Sequence, residues 1–299
     1  MPEMVGALGH TSAERKTKKS SKIKETWRRF KRNKIAVIGL GIVVFIMLVA
    51  IFAPLVSPYD PYEQSMGNRL VKIGSQGHLL GTDEYGRDML SRLVYGARLS
   101  LMVGFCSVGF GLAFGVLLGL LSGYYAKLDG VIMGIIDVLL AFPGVLLALA
   151  IVTILGTGIQ NVILAVGIWS IPTIARVVRS TVLSTKEMDY ITAARALGQS
   201  DTMILFREIL PNCMSEIIVY STMRLATAIL SASTLSFLGL GAQPPSAEWG
   251  AMASTGRTFI FEAPHLTLLP GFAIILIVYG FNSLGDGLRD AMDPNLKNV

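Results

Sequence analysis

The sequence predicts an all-α integral membrane protein with six transmembrane helices. Of its 299 residues, 52% are hydrophobic and 15% are charged, whereas a soluble domain carries about 25% charged residues. Its mean hydropathy is +0.59. A transmembrane helix needs about 20 consecutive apolar residues, and the chain has five uncharged runs of that kind: 35–56, 99–126, 138–175, 225–247 and 263–285. The third run is too long for one crossing and contains a Gly-Thr-Gly turn at 156–158, so we divide it into two.

The distribution of basic residues predicts which way the spans run. We place the spans at 35–56, 99–124, 130–155, 160–178, 213–238 and 265–285. With the N-terminus inside, and Arg176 counted as inside, the inside segments hold 19 of the 26 Lys and Arg residues. The outside segments hold six, and Arg224 lies within a span. Because basic residues concentrate on the cytoplasmic side, we expect both termini to be cytoplasmic.

The N-terminal tail carries the basic excess of the whole chain. Residues 1–34 hold 11 Lys or Arg residues and three acids. Such a tail could bind nucleic acid, but directly before a membrane span it more often sets orientation and contacts anionic lipid headgroups. We therefore expect lipid and not nucleic acid as its partner. The first apolar run spans 22 residues, longer than the core of a signal peptide, so we predict an uncleaved first helix.

The predicted organisation has five parts. They are a cytoplasmic tail (1–34), the first transmembrane helix (35–56), an extracytoplasmic loop (57–98), a five-helix core (99–285) and a cytoplasmic tail (286–299). Within the loop, acid-first i,i+4 pairs between residues 83 and 92 favour helix. With Thr82 or Asp83 as the cap and Gly96 near the end, they predict a short amphipathic helix at the outer surface.

The second span contains small residues at every fourth position: Ser107, Gly111, Gly115, Gly119 and Gly123. Such a face lets two helix backbones approach closely in lipid. A contact that slides during transport is an alternative, but the pattern indicates closeness and not motion, so packing within the subunit is favoured.

Charge is costly in a membrane, so charged residues inside predicted spans are candidates for function. Glu216, near the start of the fifth span, is close enough to the inner surface to be wetted, which leaves two. Asp137 lies in the third span and Arg224 in the middle of the fifth. An ion-coupled secondary transporter would use such groups as a relay. The alternatives are that Asp137 pairs with a helix terminus or an arginine, and that Arg224 faces a cavity, a partner or the path of an anionic substrate group.

Signatures of catalysis and of bound cofactors are absent from the sequence. His10, His78 and His265 are dispersed, and neither a metal-binding pattern nor a P-loop occurs. We predict no catalytic residue, no metal site and no cofactor in this chain. If transport is driven by ATP, another chain must hydrolyse it.

A polar interruption between the fourth and fifth spans predicts two short helices. The first covers 190–197 and ends at Gly198, which favours a left-handed stop. Ser200 or Asp201 caps the second, 202–210, and Pro211 closes it. Helices this short are unstable alone in water, so we expect them to be docked.

The same segment resembles the EAA loop of importer-type ABC permeases. Its stretches "TAARALG" and "EILPN" contain Ala193, Ala194, Gly198, Leu210 and Pro211 in the register of that loop, with a smooth alanine surface for a partner. Thr192 and Glu208 depart from the pattern, where Glu and Ile are expected. The resemblance implies a cytoplasmic coupling helix that contacts ATPase subunits through Tyr190, Thr192, Ala193, Ala194, Arg195, Gly198, Leu210 and Pro211.

Four further stretches extend the resemblance over most of the chain: "GTDEYGRDMLSRLVYGARLSL", "DVLLAFPGVLLALA", "LSFLGLGAQPPSAEWG" and "GDGLRDAMDP". They are similar to the C-type permease subunit of dipeptide and oligopeptide ABC importers, a group that also serves nickel and glutathione. The resemblance implies the importer-type transmembrane fold, a prokaryotic cell membrane, a heterodimer with a related permease, and an extracytoplasmic binding protein. It also implies two ATPase subunits, which would bind ATP and Mg.

Peptides are the favoured substrate, while glutathione and a nickel chelate stay open. The path is expected between this chain and its partner permease, with spans two to five as walls and Asp137 and Arg224 as candidate residues. An ion-coupled secondary transporter is the main alternative. A second alternative is a membrane scaffold or receptor anchor that acts through the basic tail.

Overall fold

The computed structural model describes residues 24–292, which form a bundle of α-helices. Residues 24–30 are helical, and the following α-helices are α1 (Lys34–Ile51), α2 (Ala53–Val56), α3 (Met89–Tyr124), α4 (Ala126–Leu140), α5 (Gly144–Leu155), α6 (Ile159–Lys186), α7 (Asp189–Ala196), α8 (Asp201–Met203), α9 (Leu210–Phe237), α10 (Trp249–Gly256) and α11 (His265–Met292). A π-helix, Ile204–Ile209, joins α8 to α9. The predicted all-α membrane fold is confirmed. The tails at 1–23 and 293–299 lie outside the described residues.

Five helical segments in the described range are long and apolar enough to span a membrane, and α4 with α5 forms a sixth if taken together. This third span, predicted at 130–155, is bent: α4 and α5 meet at 90°. Pro143 lies at the bend. It has no N–H to donate and it disfavours helical backbone at the preceding residue, so α4 ends and α5 begins anew.

The predicted amphipathic helix at the outer surface is not present as a separate element. Asp88 caps α3 by accepting a hydrogen bond from the Ser91 amide at 2.7 Å, and α3 continues unbroken to Tyr124. The Asp83 carboxylate instead stabilises a turn, accepting from the Arg87 amide and side chain at 2.9 and 2.6 Å. Gly96 does not end a helix. It lies inside α3, where a Cβ would come within 2.5 Å of the Trp249 ring.

The connecting segments gather at two ends of the bundle. At one end, the Gly158 amide donates to the Leu240 carbonyl at 3.1 Å, and the side chain of Arg92 donates to the Pro245 carbonyl at 3.3 Å. At the other end, which carries α7, the side chain of Lys186 donates to the Gly123 carbonyl at 3.0 Å. The connecting loops therefore lie at opposite ends of the bundle, as expected when successive spans cross the membrane in opposite directions.

The glycine contact, which we define as the packing of Gly111, Gly115, Gly119 and Gly123 of α3 against α6, joins the two central helices. A Cβ added at Gly119 would lie 2.7 Å from the Ala175 carbonyl oxygen, and one at Gly123 would lie 2.7 Å from the Val182 Cβ. The small-residue face thus serves helix packing within the subunit. A second close contact joins α1 to α11, where a Cβ at Gly39 would lie 2.6 Å from the Ser283 Cβ.

Adding one methyl group to the glycine contact should destabilise the protein. We expect Gly119→Ala to lower the free energy of unfolding by about 1–3 kcal/mol, because the obstructing atom is backbone and overpacking strains a close contact. The midpoint of thermal unfolding in detergent measures this. Gly109→Ala is the matched control on the same helix, since nothing lies within 4 Å of its added Cβ. Equal midpoints for the two variants would contradict the role of the contact.

Candidate coupling site and intramembrane charges

Helix α7 forms where the sequence predicts the first short helix, shifted by one residue. Asp189 in its first turn and Arg195 in its last turn both complement the helix dipole. At its end the Gly198 amide donates to the Arg195 carbonyl at 3.0 Å, and the Gln199 amide to the Ala194 carbonyl at 3.2 Å. This is a Schellman motif, and Gly198 has the left-handed φ of 81° that it requires.

One face of α7 is docked on the bundle. Ile191 is fully buried and Ala194 is nearly so. They belong to a cluster that draws on α3, α6, the π-helix and α9, and that includes Leu120, Val178, Val182, Ile204, Ile209 and Cys213. The docked face of α7 therefore belongs to the same apolar cluster as three of the long helices.

The opposite face of α7 is open to a partner. Thr192, Ala193 and Arg195 are exposed. The expected alanine surface is wrong in one respect: Ala193 is exposed but Ala194 faces the core, because neighbouring residues point about 100° apart on a helix. Leu197, which sequence reasoning missed, is 84% exposed at the end of the helix. An apolar residue directly before a helix-ending glycine was the available signal.

The second half of the segment departs from the prediction. Ser200 caps α8 as expected, accepting from the Met203 amide at 3.4 Å. Pro211, however, does not close a helix, since it lies in the first turn of α9. The preceding π-helix has its Leu210 amide bonded to the Leu205 carbonyl, and this wider turn makes room for a proline that would clash in an α-helix.

Polar contacts attach the segment to the neighbouring helices. The Tyr124 hydroxyl donates to Asp201 Oδ1 at 2.5 Å, and Arg195 Nη2 donates to the same hydroxyl at 3.5 Å. Asn212 Nδ2 donates to the Tyr190 hydroxyl oxygen at 3.1 Å. Burial, with Glu208 nearby, raises the pKa of Tyr190 above its usual value. Of the last two predicted residues, Leu210 is half-buried and Pro211 is exposed.

The acidic residues of α4 are paired with arginines of α6. Arg176 Nη2 donates to Asp137 Oδ1 at 2.5 Å, which is the arginine pairing considered for Asp137. Arg179 donates to both oxygens of Asp129, at 2.5 and 2.6 Å. Both acids of α4 are therefore committed to ion pairs within the subunit.

Arg224 is enclosed within the subunit. It is 8% exposed, stacks over the Trp169 ring at 4.9 Å, and donates from Nη2 to the Ser170 hydroxyl at 3.0 Å. No carboxylate of the described residues pairs with it, and its Nε has no partner there. The structure does not bring Arg224 together with Asp137, whose partner is Arg176.

The chain is a bundle of continuous spans and one bent span, with a short helix docked at one end. The fold matches a chain of the MetNI methionine ABC transporter in an inward-facing conformation, with a TM-score of 0.57. The match covers 69% of this chain and 98% of that chain at 22% identity. An amino acid ABC transporter is similar over 66% of this chain and 92% of that chain, with a TM-score of 0.51 and 17% identity.

The sequence matches two families. Residues 111–298 match the binding-protein-dependent transport system inner membrane component, and residues 21–73 match the N-terminal TM domain of oligopeptide transport permease C. The chain therefore belongs to the C-type permeases of the peptide and nickel group of ABC importers, as its motifs predicted. It is a multi-pass permease subunit of the inner membrane, from a family that works with ATPase subunits and a binding protein.

Curated relatives match over nearly their full length. The dipeptide transport system permease protein of Alkalihalophilus pseudofirmus is 49% identical over 92% of this chain and 90% of its own. The glutathione transport system permease protein of Pectobacterium atrosepticum is 49% identical over 92% of each chain. The di/tripeptide permease of Pseudomonas aeruginosa is 47% identical over 93% of this chain and 94% of its own. These relatives favour an importer permease over an ion-coupled transporter.

Removing the buried anchor of α7 should release the helix from the bundle. We expect Ile191→Ala to weaken docking by about 2–5 kcal/mol, the usual effect of this truncation in a core. Hydrogen exchange of the amides at 189–199 would then accelerate. Leu197→Ala, which removes an exposed side chain of the same helix, should leave that exchange unchanged. Unchanged exchange in Ile191→Ala would show that the cluster does not hold α7.

Proposed function

We propose that this chain forms half of the path of a peptide importer and is driven by ATPase subunits that contact residues 189–212. The observation that carries the proposal is the two-sided construction of α7. One side, with Ile191 and Ala194, is part of the bundle core, and the other, with Ala193 and Leu197, is open. A partner that moves the open side moves the helices behind it.

The substrate assignment is supported by the relatives. The permeases named above are described as carrying dipeptides, di- and tripeptides, and glutathione, which is itself a peptide. We therefore propose di- or oligopeptides as the substrate of this chain. The family description also supports delivery by an extracytoplasmic binding protein.

The remaining architecture follows from the same assignment. We propose a heterodimer with a related permease, two ATPase subunits that hold ATP and Mg, and no catalytic group or bound cofactor in this chain. Both termini are cytoplasmic in this proposal, supported by the excess of basic residues in the segments near the α7 end. Anionic lipid headgroups are the partner of the basic tail.

Coupling in this proposal is mechanical. ATP draws the two ATPases together, and each carries a docked helix, here α7, with it. Because packed interfaces have discrete arrangements, a small displacement can switch the spans between inward-open and outward-open states. The candidate contacts are Thr192, Ala193, Arg195 and the exposed Leu197, with Gly198 setting the end of the helix.

Placing a charge on the open face of α7 should detach the ATPases. We expect Leu197→Glu to lower the amount of ATPase that co-purifies with the tagged chain by about tenfold or more, the loss typical of a central apolar contact. Leu79→Glu is the control, since Leu79 is also exposed but lies in the segment at the opposite end of the bundle. It should retain the ATPases. Full retention and normal uptake in Leu197→Glu would place the coupling surface elsewhere.

The energy source separates this proposal from the ion-coupled alternative. Dissipating the membrane potential and proton gradient in vesicles that hold ATP should leave peptide uptake intact, because no ion flow is coupled to it. Uptake that stops with the gradient, in vesicles whose ATP is unchanged, would overturn the importer mechanism.

A further inference from the structure

We propose that Asp137 and Arg176 line the cytoplasmic part of the translocation path and exchange their mutual ion pair for the terminal charges of a passing peptide. The substrate part rests on the peptide import function proposed above. The position of the pair in the path rests on its geometry alone.

The pair is unusual because both charges are open. Arg176 Nη2 and Asp137 Oδ1 are 2.5 Å apart, yet the side chains are 57% and 63% exposed. Arg176 lies ten residues before the end of α6, about 15 Å along the helix. Its neighbour Ala175 belongs to the glycine contact. The pair is thus exposed at a position partway along α6, and not at the tip of a loop.

Much of the surface of α4 is apolar and uncovered. Only Ile136 of its 15 residues is buried, and Ile135 and Val138 are each more than half exposed, as is Phe142 just after the helix. Charges facing lipid here would be costly, and so would charges enclosed in a dry interface with another subunit. A water-filled space between this chain and its partner permease removes both costs, and such a space is the translocation path.

A second ion pair on the same two helices provides the contrast. Asp129 and Arg179 form two short hydrogen bonds and are each less than 30% exposed. That pair is half-enclosed and ties α4 to α6. Because this second pair holds α4 to α6, the ion pair of Asp137 and Arg176 can separate without releasing α4.

The chemistry of the open pair matches a peptide with free termini. A guanidinium donates two parallel hydrogen bonds to a carboxylate, so Arg176 suits the peptide C-terminus. The Asp137 carboxylate suits the N-terminal ammonium group. Because the exchange replaces one ion pair by two and the original pair re-forms behind the substrate, charge stays balanced and the peptide is not retained.

Cysteine accessibility in the complete reconstituted transporter tests the position of the pair. Asp137→Cys and Arg176→Cys are made with Cys106→Ser, since Cys106 is exposed and Cys213 is buried. A charged thiosulfonate reagent that does not enter lipid should label both positions. Ile135→Cys is the matched control, because Ile135 is 61% exposed and lies about 200° around α4 from Asp137, and it should stay unlabelled. Absence of labelling at both test positions, or equal labelling of the control, would overturn the path assignment.

Protection by substrate tests the contact. With binding protein, ATP and saturating dialanine, we expect labelling of both positions to slow severalfold. Labelling that is unchanged by dialanine, in a transporter that takes up dialanine, would overturn the exchange of ion pairs. A wild-type transporter that takes up no peptide would instead defeat the proposed substrate, while the labelling pattern would still decide whether the pair lines a path.

Uptake separates a substrate contact from a helix tie. We expect Arg176→Gln to lower dialanine uptake per ATP hydrolysed by about tenfold, the loss of one charge-assisted contact, with thermal stability unchanged. Arg179→Gln should lower thermal stability instead, because it breaks the enclosed tie. Equal effects of the two variants on stability and uptake would contradict the distinction.

Discussion

The close approach of α3 and α6 constrains the rest of the structure. Four glycines of α3 lie where any side chain would meet the backbone or the Cβ atoms of α6. Lipid offers no hydrophobic driving force between helices, so such contacts depend on close packing. Leu120 on α3 and Val178 and Val182 on α6 lie in the same two helices and belong to the buried cluster that includes Ile191. The coupling segment is positioned by the same contact that holds the bundle together.

Polar contacts also join the helices of the bundle near α7. Tyr124 bonds to Asp201, Lys186 bonds to the Gly123 carbonyl, and Asp129 bonds to Arg179. The first joins α3 to α8, the second joins α6 to α3, and the third joins α4 to α6. The coupling segment therefore has an apolar attachment through Ile191 and a polar attachment through Asp201, and the helices to which it is attached are bonded to one another.

The charges inside the spans fall into two environments with different consequences. Arg224 is enclosed, with an aromatic ring and a hydroxyl as neighbours, and it stabilises the contact of α6 with α9. Asp137 and Arg176 are paired but open. An unpaired acid in an enclosed site would have favoured ion coupling, because its pKa can be raised into a useful range. The two acids of α4 are instead held by arginine.

Composition and spacing alone determined the class of fold and the stop at Gly198, and they narrowed the cap of α8 to Ser200 or Asp201. Lipid offers backbone N–H and C=O groups no hydrogen-bond partner, so a span of this kind must be helical. Caps and glycine stops depend only on residues within one turn of the helix end. The bend at Pro143, the unbroken α3, and the helix that continues through Pro211 depended on tertiary structure, since each local signal allows more than one continuation. The same holds for the pairing of Asp137 with Arg176, 39 residues apart. Only packing brings such residues together, and only packing decides that Ala194 is covered while Leu197 is left open.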